Sequence, residues 1–563
     1  MEVKQLMASR KTGDWLLFAN GLVLLVLLNI MASVYFFRID LTEEKRYIIK
    51  PATKQLLNEL DDEVFVEVYL AGELNPGFKR FQKSILETLE EFKIYSHNKV
   101  QFTVTDPATA ASEKARNEFQ AGLAQKGVSG MRVIDTKDGE RVEKVVFPGA
   151  VISYGGFENG VMLFKSKLAT TSQEVLNQSI EGVEFELANA IHKIINVNRK
   201  KIGLVMGHGE LDSLKFASFN NALFEQYNVF KVNLAKKKSI LNYNAIIIAK
   251  PIRVFSEPEK LLLDQYIMNG GKVLFLVDRM EANMDSASLE NYFARSIETN
   301  LEDQLFKYGV RINQDLVQDR FAAKYPVVIG KVSDRPEIMQ MEWPFFPLIN
   351  HYTDNSITKN MDATLLRFAS SIDTVKAIGV KKTPLLFTSQ FTRKLGNPIK
   401  VGIDDLRKTK PERFVGGQIP VAYLLEGQFT SLYKNRFLPE GTDSTGFKPS
   451  SRPTKLIVVA DGDIARNEVN PRNNQAQLLG KDLFSGYTYS NQDLLLNMVA
   501  YLTDENGLIT ARTKEVRIRP LDKEKLKKER VYWQSLNLVV PIVLLVIFGI
   551  LRAMTRKRKY ANF

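Results

Sequence analysis

The sequence predicts an α/β protein with an apolar, membrane-spanning helix near each end. Three observations lead to this class. Trp15–Phe37 is an uncharged stretch, Leu536–Met554 is a second apolar stretch followed by a basic tail, and short apolar runs alternate with amphipathic segments between them. Such alternation is typical of a parallel sheet that is covered by helices on both faces. We therefore expect a large folded body between two membrane anchors.

The first apolar stretch is long enough to span a bilayer. Trp15–Phe37 has 23 residues without a charge, and at a rise of 1.5 Å per residue it exceeds a hydrocarbon thickness of about 30 Å. A cleaved signal peptide is the alternative. The run is longer than a typical signal core, however, and no clear small-x-small cleavage site follows before Arg38. We interpret the stretch as an uncleaved anchor.

The second apolar stretch and the charges around both stretches predict the topology. Aromatic residues precede the second stretch and basic residues follow it: Tyr532 and Trp533, then Arg552, Arg556, Lys557, Arg558 and Lys559. A buried core helix rarely ends in such a basic tail. The first stretch is preceded by Lys4, Arg10 and Lys11. Because basic flanks favour the cytoplasmic side, both termini are predicted there. The protein is thus expected to be a multi-pass protein of a bacterial inner membrane with its body in the periplasm.

The composition limits the possible chemistry. Hydrophobic residues make up 45% and charged residues 25% of the 563 residues, so a packed core is feasible. The sequence has no cysteine, which excludes disulfides, thiolate metal sites and cysteine nucleophiles. The net charge of +13 is not gathered into a basic stripe with interleaved aromatic residues. The sequence therefore gives no support for nucleic-acid binding.

The pattern along the chain predicts eight segments. They are a cytoplasmic N-terminus (1–14), transmembrane helix 1 (15–37), a stalk (38–62), a first α/β domain (63–175), a second α/β domain (176–520) with an insertion at about 280–455, a charged connector (521–535), transmembrane helix 2 (536–554) and a basic cytoplasmic tail (555–563).

The first domain is predicted to be thioredoxin-like. A strand over Val64–Leu70, an amphipathic helix over Phe78–Tyr95 and a strand over Val100–Val104 form its opening strand–helix–strand unit. The element order is thioredoxin-like, but the sequence has no CxxC motif, so thiol redox chemistry is excluded.

The second domain is predicted to contain a parallel, doubly wound sheet. Continuous apolar runs occur at Lys201–Met206, Ala245–Ala249, Lys272–Val277 and Leu456–Ala460. Strands that are buried on both faces require such runs. A helix over Glu257–Met268 before Asn269-Gly270-Gly271 contributes to the alternating order.

Polar residues follow these four strands, and the carboxyl ends of parallel strands are where ligands bind. They are Gly207, His208, Gly209 and Glu210, then Lys250, Asp278, Asp461 and Asp463. If the strands pair, these groups form a candidate cleft for a polar ligand or for a loop of a partner. The alternative is that they serve as turn and helix-cap residues.

A catalytic site has less support in the sequence. Nucleophile, base and orienting group are needed together, yet there is no cysteine and no GxSxG motif. The four histidines, His97, His192, His208 and His351, lack metal-ligand spacing to one another. The P-loop motif GxxxxGK[ST] is absent. We therefore predict no catalytic residue, no metal and no cofactor.

Several segments also carry a family resemblance. They are LTEEKRYIIKPATKQLLNELDDEVFVEVYL with GFKRFQ, VMGHGE, NGGKVLFLVD, PLINHYTDNSITKNMDATLLRFASSID, TPLLFTSQFT, PVAYLLEGQFTSLYKNR and LIVVADGDIARN. Over nearly its whole length the chain resembles the GldG family of gliding-motility ABC-transporter auxiliary proteins of Bacteroidetes. The resemblance implies a flavodoxin-like central domain, similar to GIFT domains and class I amidotransferases. It also implies a substrate-binding-like periplasmic subunit that works with a GldF-like permease and a GldA-like ATPase.

The leading hypothesis is a non-enzymatic membrane subunit of an ABC-type complex that contacts lipid and envelope, gliding or secretion machinery. A solute-binding receptor that uses the strand-end cleft is the second hypothesis. A cysteine-independent hydrolase and a structural envelope anchor are the others.

Overall fold

The computed structural model describes most of the chain. The described residues are 10–34, 49–109, 112–137, 140–164, 172–195, 199–287, 292–332, 335–402, 410–440, 445–504, 507–513 and 527–560. They form two compact units, Met1–Glu515 and Val516–Phe563.

The apolar stretches form helices α1 (Arg10–Val34) and α11 (Arg530–Tyr560). Among the described residues, one helix is long and apolar enough to cross a membrane, over Arg530–Arg558, and none of it is buried. The apolar part of α1 is shorter, Trp15–Met31. Residues 35–37 of the predicted first span lie outside the described residues, whereas the predicted second span lies within α11.

The part of the chain before residue 196 is built around a four-stranded sheet. Its elements are α2 (Pro51–Asn58), β1 (Val64–Val68), α3 (Pro76–Tyr95), β2 (Val100–Val104), α4 (Glu113–Gln125), β3 (Met131–Lys137), β4 (Glu140–Val146), β5 (Gly149–Tyr154), β6 (Phe157–Met162) and α5 (Ser172–Ile195). The strand order is β2-β1-β5-β6, with β1 parallel to β2 and the other pairs antiparallel. Strands β3 and β4 form a separate hairpin.

Helix α5 belongs to the core of this first sheet. Leu176, Val183, Leu187 and Ile191 of α5 are buried in the same apolar cluster as Phe81 of α3. The helix begins before residue 176, where the sequence predicted that the second domain starts. That predicted boundary therefore falls inside an element of the first sheet's core.

The second α/β part contains the main sheet and the region predicted as an insertion. Its elements are β7 (Lys201–Val205), α6 (Ala217–Phe224), β8 (Asn228–Val232), β9 (Ala245–Ala249), α7 (Glu257–Met268), β10 (Val273–Leu276), β11 (Met280–Glu281), α8 (Met284–Ala287), β12 (Phe293–Ser296), α9 (Glu302–Tyr308), β13 (Val310–Ile312), β14 (Asp315–Asp319), β15 (Ala322–Val332), β16 (Arg335–Ile349), β17 (His351–Tyr352), β18 (Thr364–Leu365), β19 (Ile372–Thr374), β20 (Val380–Phe387), β21 (Thr392–Gly396), β22 (Ile399–Lys400), β23 (Pro420–Gly427), β24 (Thr454–Val459), β25 (Val469–Asn470), β26 (Gln475–Ala476) and α10 (Asn491–Thr503).

The main sheet has eight strands in the order β17-β20-β23-β24-β10-β9-β7-β8. The five strands from β8 to β24 are parallel. Numbered along the chain they follow the order 2-1-3-4-5, which reverses direction between β7 and β9. The α/β class and the parallel pairing of the four apolar runs are therefore confirmed.

Helices cover both faces of this sheet, and the strands are apolar for that reason. Ile247 of β9 packs in one cluster with α6 and α10, whereas its neighbour Ile248 packs in a second cluster with α7 and α9. Every residue of β9 and β10 is buried. A strand between two helical layers has no side that can carry polar residues.

The region predicted as an insertion, about 280–455, also contributes to the main sheet. Strands β17, β20 and β23 extend the sheet beyond β24 by antiparallel pairing. The rest of the region forms small sheets and a separate apolar cluster around Trp343, which is fully buried. The antiparallel extension buries the edge of β24 that the parallel strands leave open.

Candidate functional site

The structure brings the predicted strand-end residues to one edge of the main sheet. Residues 207–210 follow β7, Lys250 follows β9, and Asp278 follows β10. Asp461 and Asp463 follow β24, which pairs with β10. Because all four strands are parallel, their carboxyl ends lie at the same edge. At that edge the residues divide into two groups.

The first group is an ion network centred on Lys250. Its Nζ lies 2.9 Å from Oδ2 of Asp278 and 2.5 Å from Oδ2 of Asp463. The side chain of Lys250 is 20% exposed, and those of Asp278 and Asp463 are 5% and 3% exposed. Arg466 also lies near Asp463, with 3.5 Å between Nη1 and Oδ1. The charges of this network therefore compensate one another with little contact with water.

Backbone hydrogen bonds fix the loop after β24 against this network. Gly462 N donates to Oδ1 of Asp278. Asp461 accepts from Asp463 N at 2.7 Å and from Arg367 N at 2.6 Å. A Cβ added to Gly462 would lie 2.7 Å from Cβ of Lys250, so the close approach of the two loops requires glycine there.

The pKa directions follow from burial and from the neighbouring charges. Burial opposes the charged form of Lys250, but the two adjacent carboxylates outweigh it and raise the pKa of the amine. Burial raises the pKa of Asp461, and the charges of Asp278 and Asp463 raise it further. Burial also disfavours the charge of Asp463, but Lys250 and Arg466 lower its pKa. The charge of Lys250 is thus stabilised by its two carboxylate neighbours, and that of Asp463 by Lys250 and Arg466.

The second group is a histidine held between two glutamates. His208 Nδ1 lies 3.3 Å from Oε1 of Glu210, and Nε2 lies 3.2 Å from Oε1 of Glu259. The imidazole stacks on Phe255 with 3.7 Å between ring centroids. The other carboxylate oxygen of Glu210 accepts from the amides of Gly207 and His208 at 2.9 and 2.8 Å.

This second group holds two loops together. His208 O accepts from the amides of Ile252 and Arg253 in the loop after β9. Gly209 has a φ of +74°, and a Cβ there would lie 2.5 Å from Cγ1 of Ile252. Burial lowers the pKa of His208, but its bonds to Glu210 and Glu259 raise it above the usual value.

Sequence reasoning missed three residues that complete these groups. Glu259 was readable as the end of a capping box, Ser256-x-x-Glu259, and it caps α7 while it also contacts His208. Arg466 lies only three residues after Asp463, so their i,i+3 spacing was a local signal. Arg367 had no local signal, since it reaches Asp461 from 94 positions away. No set of three or more His, Asp or Glu side chains among the described residues has the geometry of a metal site.

Comparison with known proteins gives the family. Residues 199–498 match the family described as an ABC-type uncharacterized transport system, and this match spans the main sheet. The chain belongs to this family. Residues 43–153 match a domain of unknown function. The family and helix α11 indicate an auxiliary protein of an ABC-type transport system that is associated with a membrane.

Two individual proteins are similar to this chain. An uncharacterized protein of Borreliella burgdorferi is 22% identical over 576 residues, with 98% of this chain and 99% of that protein covered. The solved mmIFT52 N-terminal domain is 13% identical and has a TM-score of 0.30, covering 54% of this chain and 97% of that domain.

We predict that Lys250→Met destabilises the protein by about 3–5 kcal/mol, because it leaves two buried carboxylates without their cation. Urea unfolding of the full-length protein, followed by Trp343 fluorescence with Trp15 and Trp533 changed to Phe, measures the loss. Lys237→Met, at an exposed lysine, is the matched control. The triple change Lys250→Met, Asp278→Asn and Asp463→Asn is expected to recover part of the loss. Equal stability of the two single variants contradicts the network's role.

The raised pKa of His208 predicts a pH-dependent contribution to stability. A group whose pKa is higher in the folded than in the unfolded state stabilises fully below the unfolded value of about 6.5. The contribution disappears as the pH rises through the folded value. We expect the stability gap between the wild type and His208→Asn to shrink from pH 5.5 to pH 8.5 in urea titrations. A constant gap for His208→Asn would overturn the assignment.

Proposed function

We propose that the chain is a non-catalytic, membrane-anchored subunit of an ABC-type transporter complex that acts with a permease and an ATPase. The observation that carries this proposal is the family match over residues 199–498. Helix α11, apolar and unburied, supplies a segment that can pack in a membrane beside a permease. The strand-end charges are engaged with one another, which fits a body whose role is mechanical.

The proposed topology places both termini in the cytoplasm and the body in the periplasm of a bacterial inner membrane. Basic residues support it, since they precede the first apolar stretch and follow the second. In this topology the predicted first span crosses the membrane once, and α11 crosses it a second time. The resemblance to the GldG family adds a link to gliding motility, with GldF-like and GldA-like partners and possible contact with envelope or secretion machinery.

We further propose a thioredoxin-like first domain and a flavodoxin-like, GIFT-like second domain. The order β2-β1-β5-β6, with β1 parallel to β2, supports the first assignment. The order 2-1-3-4-5 of the parallel strands supports the second, because flavodoxin-like sheets have this order.

The segment of residues 507–513 contacts both α/β parts of the first unit. Within residues 507–513, Leu508 is part of the first sheet's apolar core. Ile509 packs against Phe185 of α5 in a cluster that also contacts α10. Arg512 stacks over the ring of Phe185 with 5.0 Å to the centroid. Residues 508–512 are thus held by both α/β parts of the first unit.

Copurification tests the proposed assembly. We expect a tagged full-length chain, extracted from its native membrane in mild detergent, to carry a permease and an ATPase in fixed ratio. A variant without residues 527–563 keeps the described α/β elements but lacks α11, and it should lose both partners. A full-length chain that elutes alone under the same conditions overturns the proposal.

The absence of cysteine permits a clean topology test, because a single introduced thiol is the only label site. We expect Lys237→Cys to react with a membrane-impermeant maleimide in intact spheroplasts. Thr555→Cys, in the basic end of α11, should react only after permeabilisation. Both positions are exposed in the structure. Labelling of Thr555→Cys in intact spheroplasts, or protection of Lys237→Cys, contradicts the topology.

A further inference from the structure

A cavity of about 640 Å³ opens beside the carboxyl end of β10. Val277 and Arg279 line it, whereas Asp278 between them turns to the Lys250 network. The volume lies within the range of about 300–1,000 Å³ that is usual for sites of small ligands. The predicted strand-end residues are thus occupied with one another, and free space exists next to them.

One wall of the cavity is apolar and firmly held. Leu301, Leu305 and Phe306 line it from α9 and its start, and Leu432 lines it from the turn after β23. Asp264 fixes that turn, since it accepts from Ser431 Oγ at 2.7 Å and from Leu432 N at 3.0 Å. Such a wall offers a preformed surface for an apolar group.

The polar lining carries more positive than negative charge. Its cations are Arg279, Lys307, Arg311 and Arg436, and its anions are Glu302 and Asp303. Arg436 pairs with Asp303 at 2.6 Å, and Arg311 pairs with Asp373 at 3.0 Å.

Arg279 supplies a polar group that is not fully satisfied. The residue is 6% exposed, and its Nη1 donates to Ile297 O at 2.7 Å and to Glu302. Its Nε, in contrast, has no acceptor among the described residues. A buried donor without an acceptor costs stability.

We propose that this cavity binds a small amphiphilic anion, with an apolar body against Leu305 and Phe306 and an oxyanion head group near Arg279 and Lys307. The apolar wall contacts the body, and the amine of Lys307 and the guanidinium of Arg279 attract the head group. This site goes beyond the proposed role in assembly, since it requires no partner protein.

Calorimetric titration of the full-length protein in lipid nanodiscs tests the site, with empty nanodiscs as the blank. The probe is 1-naphthaleneacetate, and 1-naphthylmethylamine is a cation with the same apolar body. We expect the acid to bind with a Kd below about 1 mM and the amine not to bind. Binding of the amine as tight as that of the acid, or no binding of the acid, overturns the proposal.

Two variants on α9 separate the charged from the apolar contribution to binding. They change Lys307 and Phe306, neither of which is buried. Lys307→Glu should weaken binding of the acid about tenfold, which is equivalent to about 1.4 kcal/mol. Phe306→Ala should weaken it about fivefold through lost apolar contact. Lys237→Glu, with the same charge reversal at an exposed site away from the cavity lining, should bind as the wild type does. A Kd unchanged by Lys307→Glu places the probe elsewhere and refutes the site.

Failure of this anion site and failure of the proposed assembly give different experimental results. If the chain copurifies with a permease and an ATPase but does not bind 1-naphthaleneacetate, only this site is refuted. A chain that binds the acid with the expected variant effects but elutes without partners refutes the proposed assembly alone.

Discussion

The main sheet depends on the neutralisation of carboxylates at its carboxyl edge. Parallel strands that are covered on both faces are apolar throughout, so polar residues follow their carboxyl ends. These ends lie at the same edge of the sheet. Here Lys250 lies between Asp278 and Asp463 and connects the ends of three adjacent strands. Without Lys250, Asp278 would be buried without a cation, and Asp463 would keep only Arg466, whose Nη1 lies 3.5 Å from its Oδ1. The arrangement of the loops around β9, β10 and β24 follows from that single requirement.

The same constraint bears on function. Charged groups that are saturated by one another are poor ligands, because a bound molecule must first break their existing pairs. At this edge the paired charges join neighbouring loops. The apolar wall of the cavity beside Arg279 and the apolar helix α11 are surfaces where a bound molecule breaks no such pair. A family described only as a transport system is compatible with such a division of labour.

Much of the second domain could be predicted because strands that are buried on both faces require continuous apolar runs in the sequence. The four runs that end before Gly207, Lys250, Asp278 and Asp461 all became parallel strands. The identity of their partners could not be predicted in the same way. Arg367 reaches Asp461 from 94 positions away, and β23 joins the sheet from a region without helical alternation. Helix α5 is a related case: the sequence places the domain boundary at residue 176, inside this helix, and its packing in the core of the first sheet depends on tertiary contacts.

The segment Leu508–Thr513 also matters for anyone who wishes to study the body without its anchors. A shortened chain that stops at the end of α10 would uncover Phe185 and remove Leu508 from the core of a sheet that lies more than 300 positions earlier in the sequence. One that continues through Thr513 would keep both contacts. Residues 504–513 therefore decide whether such a fragment exposes the apolar cluster around Phe185, and exposed apolar patches favour aggregation.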